Sequence, residues 1–336
     1  MDEKEMTMRE ALSLALDQAL RADDRVFLLG EDIADPGASG PTAGLSTKYG
    51  HDRVLDTPIS EAAIVGAAIG AAIDGLLPVA EIMIMDFIGI AADQLINNAA
   101  KLRFMTAGRT TAPITIRTQV YAGLATGATH SQSLEAWFMH IPGMKVIVPS
   151  TPRDGKGLLT AAIFDEDPCL FIETIRLQSK KGPVPLDPGF SIPLGQADIK
   201  RQGTDVTLIS YGRSVHDALA AADTLADHGV SAEVVDLRTL VPLDVETIVD
   251  SGRRTRRAVI VHDAVQFAGP GAEIAALLGS ELFGELAAPV ERVAARFVPN
   301  PAAAALEAQV YPSPARVVEA ALRTLGSTLA RTNTHV

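Results

Sequence analysis

The chain has 336 residues, enough for two domains of ordinary size, and a 47% hydrophobic content that can supply sizeable cores. Aromatics make up only 4%, so those cores rest on Ala, Leu, Val and Ile, and a formal net charge of −12 excludes a general nucleic-acid or anionic-membrane binder. One cysteine, Cys169, excludes an internal disulfide framework and a cysteine-based metal site; with a charged start, MDEKEMTMRE, that reads as no signal peptide, it makes the cytoplasm the expected location.

Thr7 to Glu10 reads as a capping box, followed by Leu12, Ala15, Leu16, Ala19 and Leu20 at helical spacing. VFLLG is a short strand, and 34–50, rich in Gly, Pro, Ser and Thr, is a loop. The run 56–75, DTPISEAAIVGAAIGAAIDG, predicts a helix with one carboxylate, Glu61, at its mouth. Asp56, Thr57 and Ser60 offer caps, and Gly66 and Gly70 share one bare face that a second backbone can approach. Asp74, Pro78, Glu81 and Asp86 cut this run short of a membrane span. A buried strand is expected over 77–85, a second helix over 88–107 with Gly108 as its stop, and a strand at PITIRT.

The glycine-broken loop QVYAGLATGATHSQS comes next, where α/β sheets commonly carry function. Residues 133–140 read as helix, MKVIVPS as strand, 152–164 as helix and CLFIET as strand. This alternation predicts a doubly wound parallel sheet. SKKGPVPLDPGFSIPLGQ, with four prolines and three glycines, reads as a linker. The pattern then restarts: TDVTLISYG, AEVVDL, AVIVHD and VERVAA are strands with helices between them, the first of these over 214–228. They predict a second, smaller α/β domain that does not repeat the first in sequence.

Three side chains carry a chemical reading beside a structural one. Glu61 is either a partner for the helix dipole or a catalytic carboxylate desolvated at a subunit interface. His130, in THSQSLEAW, is either a structural histidine or a proton-transfer group in a loop whose Gly123 and Gly127 admit a substrate. Phe87, in MDFIG, is either core or a platform for a planar ring. His262 precedes GPGAE, which lacks the dinucleotide fingerprint, and reads as structural or as part of a partner surface. G-x-x-x-x-G-K-[ST], G-x-S-x-G, H-E-x-x-H and G-D-G are all absent.

Four long motifs together resemble one family: TPISEAAIVGAAIGAA, DFIGIAADQLINNAAKLRFMTAG, THSQSLEAWFMHIPGMKVIVPSTPRDGKGLLTAAI and VVDLRTLVPLD. The family is the beta subunit of the thiamine-diphosphate-dependent first component of 2-oxoacid dehydrogenase complexes, of pyruvate, branched-chain and acetoin type. The resemblance covers about residues 5 to 325, in the right order. It implies a pyrimidine-binding, transketolase-like, doubly wound parallel-sheet domain over 1–178, a linker over 179–203, a transketolase C-terminal-like α/β domain over 204–326 and a tail over 327–336.

The resemblance further implies an α2β2 heterotetramer whose alpha subunit, carrying G-D-G…N, holds Mg2+ and the diphosphate. Glu61 would hydrogen-bond a pyrimidine nitrogen of thiamine diphosphate, Phe87 would lie beside the pyrimidine, and His130 would assist acyl transfer. A structural potassium ion would sit mostly on main-chain carbonyls, at Ile114, Ala162, Ile163, Asp165 and Asp167. The implied reaction decarboxylates a 2-oxoacid, or cleaves acetoin, and passes the acyl group to lipoyl on an acyltransferase core. A thiamine-dependent carboligase subunit and a non-catalytic interaction subunit are the alternatives. Val120, Tyr121 and Leu124 are bulkier than the family's glycine-rich loop and bear on substrate choice.

Overall fold

The Thr7 capping box forms as the sequence predicts: Thr7 Oγ1 accepts the Glu10 N–H at 3.2 Å while Glu10 Oε2 accepts the Thr7 N–H at 2.7 Å. The helix it starts, Met8–Ala22, buries Met8, Ala11, Leu12, Ala15, Leu16, Ala19 and Leu20 on one stripe. That stripe packs on the helix Pro152–Ile163. These elements belong to a computed structural model that describes residues 2–35 and 40–326. The expected tail, 327–336, lies outside the described residues.

The chain divides into two units, the first formed by 1–121, 137–194 and 240–242, the second by 122–136, 195–239 and 243–336. The first holds a seven-stranded sheet. Its order is Thr239–Val241, Lys145–Ile147, Cys169–Thr174, Thr115–Val120, Leu77–Ile82, Val26–Gly30 and Val54–Asp56. The five pairs from Lys145–Ile147 to Val54–Asp56 are all parallel. Parallel strands need crossovers, and the helical segments of the sequence supply them. One core of this unit gathers Leu12, Leu16, Val26, Leu28, Leu158, Leu159 and Phe171.

The second unit holds a five-stranded sheet in the order Glu291–Ala295, Ala258–Val265, Val206–Ser210, Ala232–Asp236 and Asp198–Arg201. Its first four strands are parallel and the last is antiparallel. Val206 and Leu208 join Val215, Ala218, Val317 and Ala321 in the core under the helices Ser214–Asp227 and Pro314–Thr324. Thr207, one step along the same strand, faces the other way and meets Ser251 and Thr255 of the helix Val245–Thr255. Helices therefore cover both faces, as a doubly wound sheet requires.

Two expectations are corrected. Residues 88–105 are helical without a break, but not as one regular α-helix. They follow a 3-10 turn, Met85–Ala91, as a π-helical segment, Gln94–Ala99, and a short α-helix, Ala100–Met105. Asn98 Nδ2 donates to the Asp93 carbonyl at 3.3 Å, a bond that competes with a regular helix ladder, while Asn97 Nδ2 donates to the Asp93 side chain at 2.7 Å. The stretch 179–203 is not a bare linker. Lys181–Pro185 pairs antiparallel with Glu3–Thr7, and Asp198–Arg201 edges the second sheet. Lys156, fully buried, ties this stretch down by donating to the carbonyls of Pro185 and Asp187 at 2.6 and 2.7 Å.

Candidate functional site

Glu61 is the first residue of the helix Glu61–Ile73 and is only 7% exposed. Ser60 stands at the cap position, but its hydroxyl makes no capping bond. Asp56, another of the three expected caps, instead accepts the Ala34 N–H at 2.8 Å. Among the described residues no donor reaches the Glu61 carboxylate. Nearby in sequence, the Thr57 hydroxyl is buried and also has no partner. Buried polar groups are ordinarily satisfied, so the Thr57 hydroxyl, four residues before Glu61, stands out as an unpaired one.

Phe87 lies half-buried in the 3-10 turn Met85–Ala91, its N–H donating to the Ile84 carbonyl at 3.0 Å. This turn packs against the Glu61 helix, so the carboxylate and the ring belong to neighbouring elements of the first unit. Sequence reasoning missed Glu31, at the end of the strand Val26–Gly30. Burial first, then the charges of Asp32 and Glu61, push its carboxyl above the ordinary range. The adjoining surface is apolar: Ile59 is 75% exposed and Ile90 61%. On the Glu61 helix a Cβ at Gly66 would meet Gln94 at 3.5 Å, whereas Gly70 faces open space.

His130 belongs to the second unit. It is half-buried, with Thr129 Oγ1 3.0 Å from its Nδ1, and the Thr126 hydroxyl donates to its carbonyl at 2.9 Å. The glycine-broken loop around it is tied at several points. Glu307, 2% exposed, accepts the N–H groups of Gly123 at 3.1 Å and Ala125 at 2.6 Å. Asn300 Nδ2 and the Tyr311 hydroxyl donate to the Ser131 carbonyl at 3.0 and 2.9 Å. Of the bulky residues that the sequence set in this region, Val120 is buried at the end of its strand, and Leu124 is 44% exposed.

Five residues beyond His130, Glu135 is buried and accepts a hydrogen bond from the Tyr211 hydroxyl at 2.7 Å, while its Oε2 is a buried atom without a partner. Burial, reinforced by the charge of Asp263, pushes its carboxyl up to about 7. Tyr211 stacks on His262, with ring centroids 6.0 Å apart. His262 is structural: Nδ1 lies 3.0 Å from the Ala264 carbonyl and Nε2 accepts the Gly271 N–H at 3.1 Å, so the ring caps the start of the helix Pro270–Glu281. Burial lowers its pKa to about 4 and keeps it neutral.

The five expected potassium ligands gather in the first unit around the starts of two strands. Ile114 precedes Thr115–Val120; Ala162 and Ile163 end the helix Pro152–Ile163; Asp165 and Asp167 lie in the loop before Cys169–Thr174. The Ile114 carbonyl accepts the Cys169 N–H at 2.9 Å and the Ala162 carbonyl accepts the Asp165 N–H at 3.2 Å. Lys145 Nζ sits 2.6 Å from both Asp165 oxygens, and Arg103 Nε donates to Asp167 at 2.6 Å. Both carboxylates therefore already face a cation. Among the described residues no cluster of three or more His, Cys, Asp and Glu is set to hold a metal. No helix among them is long and apolar enough to cross a membrane.

Two family models match: "Transketolase, pyrimidine binding domain" over residues 4–179 and "Transketolase, C-terminal domain" over 195–317. Curated relatives align along almost the whole chain. The acetoin:2,6-dichlorophenolindophenol oxidoreductase subunit beta of Bacillus subtilis (strain 168) is 45% identical over 334 residues, covering 96% of this chain and 97% of the relative. The mitochondrial pyruvate dehydrogenase E1 component subunit beta-2 of Oryza sativa subsp. japonica is 47% identical over 324 residues, 95% and 86% of the two. The 2-oxoisovalerate dehydrogenase subunit beta of Bacillus subtilis (strain 168) is 42% identical over 323 residues, 95% and 98%. Among solved structures, a split-gene transketolase described as an inactive beta4 tetramer superimposes with a TM-score of 0.77 at 24% identity, covering 96% of this chain and 98% of the other. At that identity it supports the fold alone.

Proposed function

The chain belongs to the transketolase-type beta subunits of thiamine-diphosphate-dependent 2-oxoacid and acetoin dehydrogenases, and from that membership we propose that it is the pyrimidine-side half of such an enzyme. In this reading it decarboxylates a 2-oxoacid, or cleaves acetoin, and its product acyl group goes to lipoyl on an acyltransferase core. The observation that carries the reading is Glu61, a buried residue whose carboxylate has no partner among the described residues, on the edge of an exposed apolar surface.

Thiamine diphosphate, when bound, supplies a nucleophilic carbanion at its thiazolium carbon. Glu61 would hold a proton against a nitrogen of the pyrimidine ring. The Thr57 hydroxyl is a second buried group free to take part. Phe87 would present its ring to the flat pyrimidine. His130 would assist transfer of the acyl group, carried on a loop whose backbone the second unit fixes.

Magnesium and the diphosphate are assigned to a separate alpha chain, because this sequence has no G-D-G element. The partner would cover Ile59, Ile90 and the bare helix face at Gly70, completing an α2β2 assembly in the cytoplasm. A potassium ion at Ile114, Ala162, Ile163, Asp165 and Asp167 would rest mostly on main-chain carbonyls, since Lys145 and Arg103 already engage the two carboxylates, and its part would be structural.

Calorimetry tests the half-site. The purified chain titrated with thiamine diphosphate and magnesium is expected to bind weakly or not at all, and to bind tightly once the alpha chain is added. Micromolar binding by the lone chain, or its turnover of pyruvate, would show that the complete site lies within these 336 residues.

A further inference from the structure

The backbone around His130 is bent in a way that side chains disfavour. Gly123, Ala125 and Gly127 alternate at φ 82°, 56° and 85°. The left-handed region is natural for the glycines, but Ala125 pays a steric penalty there. Strained conformations persist only where the surroundings over-determine them, and they concentrate at functional sites. Here the surroundings are specific. Glu307, from the short helix Ala304–Glu307, is buried and places its two oxygens on the two N–H groups that this bend turns the same way, Gly123 to Oε1 and Ala125 to Oε2. A carboxylate accepting two N–H bonds is a charge-assisted contact, stronger than a neutral one. On the far side of the loop Asn300 and Tyr311 hold the carbonyl of Ser131, the residue after His130. The loop is therefore gripped on both flanks of the histidine by one stretch of the late chain, 300–311.

We propose that Glu307 is a positioning residue for the reaction: its carboxylate sets the strained 123–127 backbone and through it the orientation of His130. Catalytic role at His130 is taken from the function proposed above, so that part of the inference rests on it; the grip itself does not. Nothing in the motif VPNPAAAALEAQVYPSP announces this. Its glutamate acquires a purpose only when the fold brings it beside the bend.

Two measurements on the chain assembled with its alpha partner separate these claims. The first is amide hydrogen exchange over peptides spanning 122–131 in wild type, Glu307→Gln and Glu307→Ala. Gln keeps the size but offers its NH2 to an N–H in place of one acceptor oxygen. Faster exchange confined to this segment, with the rest of the chain unchanged, is expected; equal exchange in all three proteins overturns the proposal whatever the activities are. The second is a double-mutant cycle with His130→Ala, reading acyl transfer from pyruvate or acetoin, whichever the wild type turns over, to lipoamide and, separately, reduction of 2,6-dichlorophenolindophenol. A displaced catalytic group costs on the order of 10²-fold, so Glu307→Gln should lower transfer to lipoamide by about 10²-fold or somewhat less. In the His130→Ala background it should lower it no further. Multiplied losses would overturn positioning through His130. Wild-type rates for His130→Ala alone would remove that histidine from the reaction, and the exchange measurement would still decide the grip.

Discussion

Glu135 gives the sharpest test of the energetics. Its carboxyl is buried, takes one hydrogen bond from Tyr211 and leaves Oε2 unsatisfied. A carboxyl raised from 4.5 to about 7 favours folding in its neutral form. Its contribution is therefore complete below about 4.5 and is lost as the pH rises through about 7. The loss amounts to about 3 kcal/mol, taking ~1.4 kcal/mol per pKa unit. His262 runs the other way. Lowered from 6.5 to about 4, it contributes fully above 6.5 and loses that contribution as the pH falls through 4. Between about pH 4.5 and 6.5 the two slopes oppose, and this pair leaves the wild-type stability nearly level. Glu135→Gln removes one slope and keeps an oxygen for Tyr211. Urea denaturation at fixed protein concentration, followed by the fluorescence of the single tryptophan, Trp137, reads the difference between the two proteins. That difference should shift by about 3 kcal/mol in favour of the variant between pH 4.5 and 8.5. A difference independent of pH would show that Glu135 is ionised in the folded chain and would refute the reasoning.

Other changes have outcomes set by single contacts. Arg117 is fully buried between Glu81 and Glu173, at 2.6 Å from each, so Arg117→Met should cost about 3–5 kcal/mol by leaving buried carboxylates unpaired. A melting temperature within a degree or so of wild type would contradict this. Gly143 has φ 99°, and a Cβ there would lie 2.0 Å from the Ala100 carbonyl oxygen; Gly143→Ala should yield little soluble protein, and normal yield and melting would count against the local geometry. Gly70 faces open space, so Gly70→Leu should leave the lone chain's circular dichroism and melting unchanged while blocking assembly with the alpha chain on size exclusion. Normal assembly would show that this helix face is not the interface.

The regular elements were legible because local chemistry determines them. T-x-x-E forms its capping box, VFLLG and CLFIET form strands, and Glu61 opens its helix. The pairing of Glu3–Thr7 with Lys181–Pro185 was not, since EKEMT is charged and mostly exposed and its partner is rich in proline and glycine. The π-helical widening after Phe87 was hidden because apolar periodicity does not register the bond from the Asn98 side chain to the Asp93 carbonyl. Glu61, Phe87 and His130 stood out through motif. Glu31, Glu135 and Glu307 did not, because each is distinguished by burial or by a partner far along the chain, which a one-dimensional pattern cannot register.

Exchange of the thiazolium proton of thiamine diphosphate against deuterium, followed by quench and NMR in the assembled enzyme, tests the central claim about Glu61. Gln at this position keeps the size and the helix start but cannot hold the proton. The account predicts that Glu61→Gln slows exchange by on the order of 10²-fold or more, in the range that general acid–base catalysis supplies, with assembly and circular dichroism unchanged. Exchange at the wild-type rate in a correctly assembled Glu61→Gln enzyme would contradict it.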